Sequence, residues 1–272
     1  MRSSGSGALG SGVVEGSGVA SGAALPLVED FYTLQGEGAY SGAAAYFVRL
    51  AGCDVGCPWC DSTESWSATG HPTVAVGEIV RRAAACRAES ALAGGCRAGD
   101  VPVPSGAGEA SKPIVVVTGG EPLMHDLDEL CAGLHAAGMR VHLETSGSHP
   151  FSGEFDWVCL SPKKRRPPLD DAWALADELK VVIETPADFE WAERCAERVA
   201  ERCAEGASER YGEMAVAQRG EECAAKTRPG ATLFLQPEWS RRGEVLPLIV
   251  AYVKRNPRWR LSVQAHKYID IP

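Results

Sequence analysis

Residues 44–60 read AAYFVRLAGCDVGCPWC. The first seven are apolar or aromatic apart from Arg49, the composition of a strand buried on both faces. The loop that follows places Cys53, Cys57 and Cys60 within eight positions. A C-x3-C-x2-C loop supplies three thiolates, one short of a closed tetrahedral site. Three soft ligands suit iron and sulfide, and a [4Fe-4S] cube held by three cysteines leaves one iron open to another ligand. A structural zinc site is the rival reading, with His71 the nearest histidine. No second Cys pair or His pair stands at zinc spacing, however.

Outward from this loop, strand-like runs recur at Ile114–Thr118, Val141–Glu144, Trp157–Leu160, Leu179–Ile183, Thr232–Leu235 and Leu261–Gln264. Helical patterns separate them over Gly77–Ala93, Asp126–Ala137 and Val245–Arg255. Nearly continuous apolar strands alternating with helices predict a parallel sheet covered by helices, closed or partly closed as a barrel. The strands end in polar groups: Thr118-Gly119-Gly120-Glu121, Glu144-Thr145-Ser146, Ser161-Pro162-Lys163, Gln236-Pro237 and Gln264-Ala265-His266-Lys267. In parallel α/β folds the carboxyl ends face one rim, so these groups are expected to converge with the cysteine loop on one site. Turn formation alone accounts for Gly, Pro and Ser there, but not for recurring Glu, Gln, His and Lys.

The 272 residues carry a formal charge of -9, which excludes a basic nucleic-acid binder, and no apolar run approaches the length of a membrane span. Ten cysteines without an export signal imply a reducing cytoplasm, where clustered thiols serve metal or redox chemistry. Residues 1–24 hold seven Gly and six Ser and read as a flexible tail preceding a single domain over 25–272. Two insertions are expected, a surface loop near 94–112 and an amphipathic helix within 187–227 built on Ala192, Cys195, Ala196, Val199, Ala200 and Cys203.

The cysteine loop with Trp59 before its last thiol, followed by Gly119-Gly120-Glu121-Pro122, resembles the radical S-adenosylmethionine superfamily. Within it, Thr33-Leu34-Gln35-Gly36-Glu37-Gly38, Arg49 to Cys53, Cys57 to Asp61, Glu144 to Gly147, Ser161-Pro162-Lys163, Leu235-Gln236-Pro237 and Gln264 to Tyr268 resemble the 7-carboxy-7-deazaguanine synthase family of queuosine biosynthesis. The resemblance implies a partial, TIM-like parallel β/α barrel. It also implies a radical ring contraction of 6-carboxy-5,6,7,8-tetrahydropterin to 7-carboxy-7-deazaguanine with release of ammonia, S-adenosylmethionine acting catalytically.

On that resemblance Cys53, Cys57 and Cys60 bind the cluster. Trp59, Gly119, Gly120, Glu121, Ser146, Ser161, Lys163 and Gln236 face S-adenosylmethionine, with the Gly119-Gly120-Glu121 backbone and carboxylate at its methionine end. Gln35, Glu37, Gly38, Arg49, Thr118, His266 and Pro272 face the pterin. Arg49 suits a forked contact to a carboxylate, and Glu37 suits N–H donors of a pyrimidine edge. The ordinary alternatives are a rim ion pair for Arg49, a core imidazole for His266 and a solvated loop carboxylate for Glu37. Lys163 opens the run Lys163-Lys164-Arg165-Arg166, and such runs usually face solvent. Magnesium is implied too, on the hydroxyl two residues after the third cysteine, here Ser62 where threonine is usual. An external one-electron reductant of flavodoxin type and a homodimer complete the implied partners. Two other functions compete: a radical activase acting on a partner protein, and a zinc-stabilised module without catalysis.

Overall fold

In the computed structural model, which describes residues 22–92, 112–209 and 230–272, nine strands form one sheet. They are β1 (Ala24–Leu34), β2 (Ala44–Leu50), β3 (Thr73–Ala75), β4 (Ile114–Gly119), β5 (Arg140–Thr145), β6 (Trp157–Leu160), β7 (Glu178–Ile183), β8 (Thr232–Pro237) and β9 (Trp259–Leu261). The order is β3-β1-β2-β4-β5-β6-β7-β8-β9. β1 is antiparallel to both its neighbours, and every pair from β2 to β9 is parallel. Helices α1 (Val76–Leu92), α2 (Asp128–Ala136), α3 (Asp170–Leu175), α4 (Asp188–Glu209) and α5 (Arg242–Arg255) link the strands, and α6 (Ala265–Ile269) follows β9.

Parallel strands laid down in chain order never reverse direction across the sheet. Right-handed crossovers then put all the helices on one face and leave the other as the inner wall of a partial barrel. The packing follows this rule. Ile79, Leu127, Leu130 and Leu134 cover Val115, Val117, Val141 and Leu143. Trp173, Ala192, Cys195, Val199 and Ile249 cover Leu179, Val181, Ile183 and Leu235. Each such aliphatic side chain, fully buried, contributes roughly 1.5–3 kcal/mol.

Side chains alternate along a strand, so the residues between these point inward: His142 and Glu144 on β5, Glu178 and Lys180 on β7. His142, Glu178 and Lys180 are buried. β2 and β4 are apolar on both faces, as their composition suggests, with Ala45, Ile114 and Val116 forming a small inner cluster, whereas β5 and β7 carry polar side chains on the inner face.

Two further expectations are corrected. β9 occupies Trp259–Leu261 rather than Leu261–Gln264. Ser262 N–H still donates to Leu235 O (2.9 Å), but its hydroxyl is drawn to Gln236 (2.8 Å) and the amide of Gln264 to Glu37 (2.9 Å), so the segment leaves the ladder before α6 begins. The helix expected within 187–227 begins as α4, whose Ala192, Cys195, Ala196 and Val199 are buried against α3 and β7. It is thus the β7–β8 crossover itself, not an addition to one. The tail over 1–21, the loop over 93–111 and residues 210–229 lie outside the described residues, as do the surroundings of Cys203. No described helix is long and apolar enough to cross a membrane.

Candidate active site

The cysteine loop leaves β2 at the carboxyl rim and is pinned from both sides. Gly52 N–H donates to the Ser65 carbonyl (2.7 Å) and Cys53 N–H to that of Trp66 (3.0 Å). From β4, Gly120 N–H donates to Leu50 O (2.9 Å) and Glu121 N–H to Gly52 O (2.8 Å). A Cβ at Gly120 would lie 2.2 Å from Gly52 O and 2.8 Å from Cys53 Cβ, so only glycine lets β4 close on the loop.

Cys53, Cys57 and Cys60 line one cavity of about 200 Å³. Trp59, Gly119, Gly120, Glu121, Ser146, Ser161, Lys163 and Gln236, the residues expected to face S-adenosylmethionine, line it as well. Burial pushes the Cys53 and Cys57 thiols up, so loading metal releases protons from them. Among the described residues no three His, Cys, Asp or Glu side chains converge as a single-ion site. His71 lies outside this cavity, bonded to the Glu64 carbonyl at 2.8 Å, which leaves a zinc reading without that ligand. Three thiols on a wall open to a cofactor-sized space are the donor set of a three-cysteine cluster.

Glu121 is 1% exposed and its carboxylate is saturated. It accepts from Leu123 N–H (3.2 Å), the Thr145 hydroxyl (2.5 Å), Ser146 N–H (2.8 Å) and the Ser146 hydroxyl. It fastens the ends of β4 and β5 together, while the Gly119-Gly120 segment beside it lines the cavity. Lys163 turns inward, unlike a solvated basic run. Its Nζ donates to the carbonyl and hydroxyl of Ser161 (both 2.6 Å) and lies 5.4 Å from the Trp59 ring centre. Burial lowers its pKa. The rest of the run is outside: Lys164 pairs with Asp188, Arg165 donates to Gly56 O (3.0 Å) and Arg166 pairs with Asp54.

A second cavity of about 220 Å³ adjoins the first and shares Glu37, Asp61, Gly119, Glu144 and Gln264 with it. Gln35, Arg49, Ser62, Thr118, His266 and Pro272 line it too. Gly38 does not reach it. Gly38 N–H donates to the Ser262 hydroxyl (3.0 Å), and a Cβ there would lie 1.9 Å from Glu178 Oε1, so this glycine shapes the turn behind the wall. Arg49 bridges Glu29 (2.8 Å) and the Ser62 hydroxyl (3.1 Å). His266 packs on Gly36, where a Cβ would lie 2.1 Å from Nδ1, and burial lowers its pKa, which keeps the ring neutral. The Pro272 carbonyl accepts from the Thr33 hydroxyl at 3.2 Å.

The wall between the cavities is a chain of polar contacts. Gln35 donates to Glu144 (3.3 Å), Lys180 to Glu144 (2.8 Å) and Glu37 (2.6 Å), and Gln264 to Glu37 (2.9 Å) and Asp61 (2.7 Å); Lys267 also donates to Asp61 (2.6 Å). Burial pushes the Glu37 carboxyl up, but the charge and hydrogen bond of Lys180, with those of Gln264 and His266 behind them, bring it down to about 2. Glu37 is therefore a fixed carboxylate, not a solvated one. Lys180 escapes a sequence reading centred on motif residues, and Glu144, Asp61 and Gln264 stand in the matched stretches without an assigned role. The available signal was one lysine inside the apolar run Leu179–Ile183.

A partial β/α barrel whose rim carries a three-thiol loop beside a cofactor cavity defines a radical S-adenosylmethionine enzyme. No family model matches the chain, but curated relatives do. The 7-carboxy-7-deazaguanine synthase of Flavobacterium psychrophilum is 42% identical over 93% of this chain and 96% of its own length, and that of Synechocystis 39% identical over 90% and 93%. The Escherichia coli K12 enzyme is 31% identical over 90% and 98%. The crystal structure of QueE from Escherichia coli matches with a TM-score of 0.56 at 27% identity, covering 89% of this chain and 95% of that one. The chain belongs to the 7-carboxy-7-deazaguanine synthase family.

Proposed function

We propose that this protein contracts the ring of 6-carboxy-5,6,7,8-tetrahydropterin to give 7-carboxy-7-deazaguanine and ammonia, within the domain spanning 25–272. One observation carries the reading: a cavity lined by three thiols adjoins a second cavity walled by fixed carboxylates, a neutral imidazole and a guanidinium. When bound, a [4Fe-4S] cluster with S-adenosylmethionine supplies a carbon-centred radical that takes and later returns a hydrogen; the chain's residues orient the partners and exclude water.

Cys53, Cys57 and Cys60 would hold the cluster. Trp59, Lys163, Gly119, Gly120, Ser146, Ser161 and Gln236 enclose the cofactor cavity. Arg49 receives the substrate carboxylate as a forked donor, exchanging its contact with Glu29 for one in a drier place. Glu37 accepts from the aminopyrimidine edge, and Gln35, Thr118 and His266 bound the ring. Ser62, Asp61 and Thr118 present hard oxygen donors on the same wall, a set that suits Mg2+. Ser62 would be the magnesium ligand, and its contact with Arg49 is the one a dication has to displace. An external one-electron reductant, a homodimer and a cytoplasmic setting belong to the same proposal through family membership.

The test is anaerobic reconstitution with iron and sulfide, then incubation with reductant, S-adenosylmethionine, Mg2+ and the tetrahydropterin. The expected outcome is a brown protein with about four irons per chain and a product lighter than the substrate by the mass of ammonia. A colourless zinc protein, or cofactor cleavage that never consumes the pterin, would overturn it.

A further inference from the structure

Lys180 sits on the inner face of β7 at the wall common to both cavities, and neither the cysteine loop nor the motif residues account for it. Its Nζ donates to Glu37 Oε2 at 2.6 Å and to Glu144 Oε2 at 2.8 Å, and the side chain is 5% exposed. The two carboxylates come from different elements, the turn after β1 and the end of β5, and among the described residues Lys180 is the one cation in contact with both. Two carboxylates on a buried wall without that charge would not both stay ionised, because like charges out of water push a proton onto one of them. A protonated carboxyl is a donor on one oxygen, the wrong partner for a ligand edge made of N–H groups.

We propose that Lys180 is a positioning residue that holds Glu37 and Glu144 as a fixed pair of acceptors, so that the site selects the donor-rich edge of a reduced aminopyrimidine ring. This rests on the ring-contraction reading above. Lys180 faces Cys159 from β6, Glu144 from β5, Glu37 from the turn and Glu178 on its own strand, with Lys163 beyond. Glu37 also faces His266, and through Gln264 it meets Asp61 and Lys267. Burial alone would lower Lys180, but the surrounding anions hold it well above the usual lysine range, so it stays charged throughout the working pH. Removing the charge leaves burial to raise the Glu37 carboxyl, and acceptor capacity is then lost on the acid side.

The test compares wild type, Lys180→Met and Lys180→Arg after reconstitution, with iron content as the check on folding and cluster assembly. Lys180→Met is expected to keep its iron, lower kcat/KM about ten- to hundred-fold, mainly through KM, and acquire an acid limb near neutral pH that wild type lacks. Lys180→Arg restores the flat profile at reduced turnover. Carboxyl carbon resonances of labelled glutamates, read without substrate, should show one group titrating between pH 5 and 8 in Lys180→Met only. A parallel pH profile and unchanged glutamate titration in Lys180→Met would overturn the assignment. If the wild type itself ignores the pterin, the synthase reading fails, and the glutamate titration still decides what Lys180 does.

Discussion

Gly120→Ala isolates the closure of β4 on the cysteine loop, because no left-handed backbone is involved there and only space is at issue. The added methyl would meet Gly52 O at 2.2 Å, whereas real Cβ atoms essentially never approach within 3.0 Å, so the two backbones must part by about 0.8 Å. Neither neighbour is the free end of a flexible side chain: one is the Gly52 carbonyl, the other the Cβ of Cys53. Parting them stretches the Glu121 N–H to Gly52 O bond, now 2.8 Å, and the Gly120 N–H to Leu50 O bond, now 2.9 Å. Overpacking costs about 1–3 kcal/mol and a weakened backbone bond about 1 kcal/mol, for a total near 2–4 kcal/mol. Denaturant unfolding of the metal-free protein reads that loss directly. Iron and sulfide analysis after reconstitution reads its local consequence, which is an incompletely filled site because Cys53 has moved relative to Cys57 and Cys60. Wild-type stability together with a full complement of iron would refute the reasoning.

Four other substitutions probe the site and the inner face of the sheet. Glu121→Gln sets an amide NH2 against donors from Leu123, Thr145 and Ser146 and should cost about 1–3 kcal/mol, seen as a lower urea midpoint; an unchanged midpoint would remove Glu121 as a fastener. His142 is buried with Nε2 unpartnered among the described residues, and burial takes its pKa from 6.5 to about 3. Only the unfolded chain binds that proton between these values, so stability is complete above pH 6.5 and declines at roughly 1.4 kcal/mol per unit as pH falls towards 3. His142→Phe should flatten the decline between pH 6.5 and 4.5, and an unchanged slope would count against it. Cys57→Ala should lose the iron altogether, whereas Arg49→Ala should keep it and lose pterin turnover; iron lost equally from both would show that Arg49 only supports the loop.

The fold was legible where burial and pattern agree. The run Ala44–Leu50 and the strands after it announce a parallel sheet because their helix-facing residues are aliphatic or aromatic throughout, and the rim was legible because strands end in polar clusters. β1 was not legible: Pro26, Glu29 and Asp30 interrupt its alternation, and only Leu25 and Leu27 are buried apolar anchors in it. The site was legible in its motif residues and illegible in its wall. Lys180 and Glu178 read as exceptions within an apolar strand until register sets them opposite Glu37, Glu144 and the turn at Gly38. Glu121 was legible as important, but its role as a fastener depends on donors from Thr145 and Ser146, which belong to another strand. Lys163 was placed at the cofactor side by its resemblance alone, because a basic run looks uniform in one dimension, while the rim sends one member inward and three outward.

The grip of Gln264 and Lys267 on Asp61, the residue next to Cys60, joins positions 203 and 206 residues apart. A ribosome makes the thiol loop long before the latch that steadies it, and the parallel strands from β2 to β9 follow one another across the sheet in that same sequence. A nascent chain therefore carries its three thiols on an unlatched loop until Gln264 and Lys267 have emerged. Cluster insertion into a settled site then waits for α6 to dock, and a chain truncated before Gln264 would keep the thiols while losing their brace.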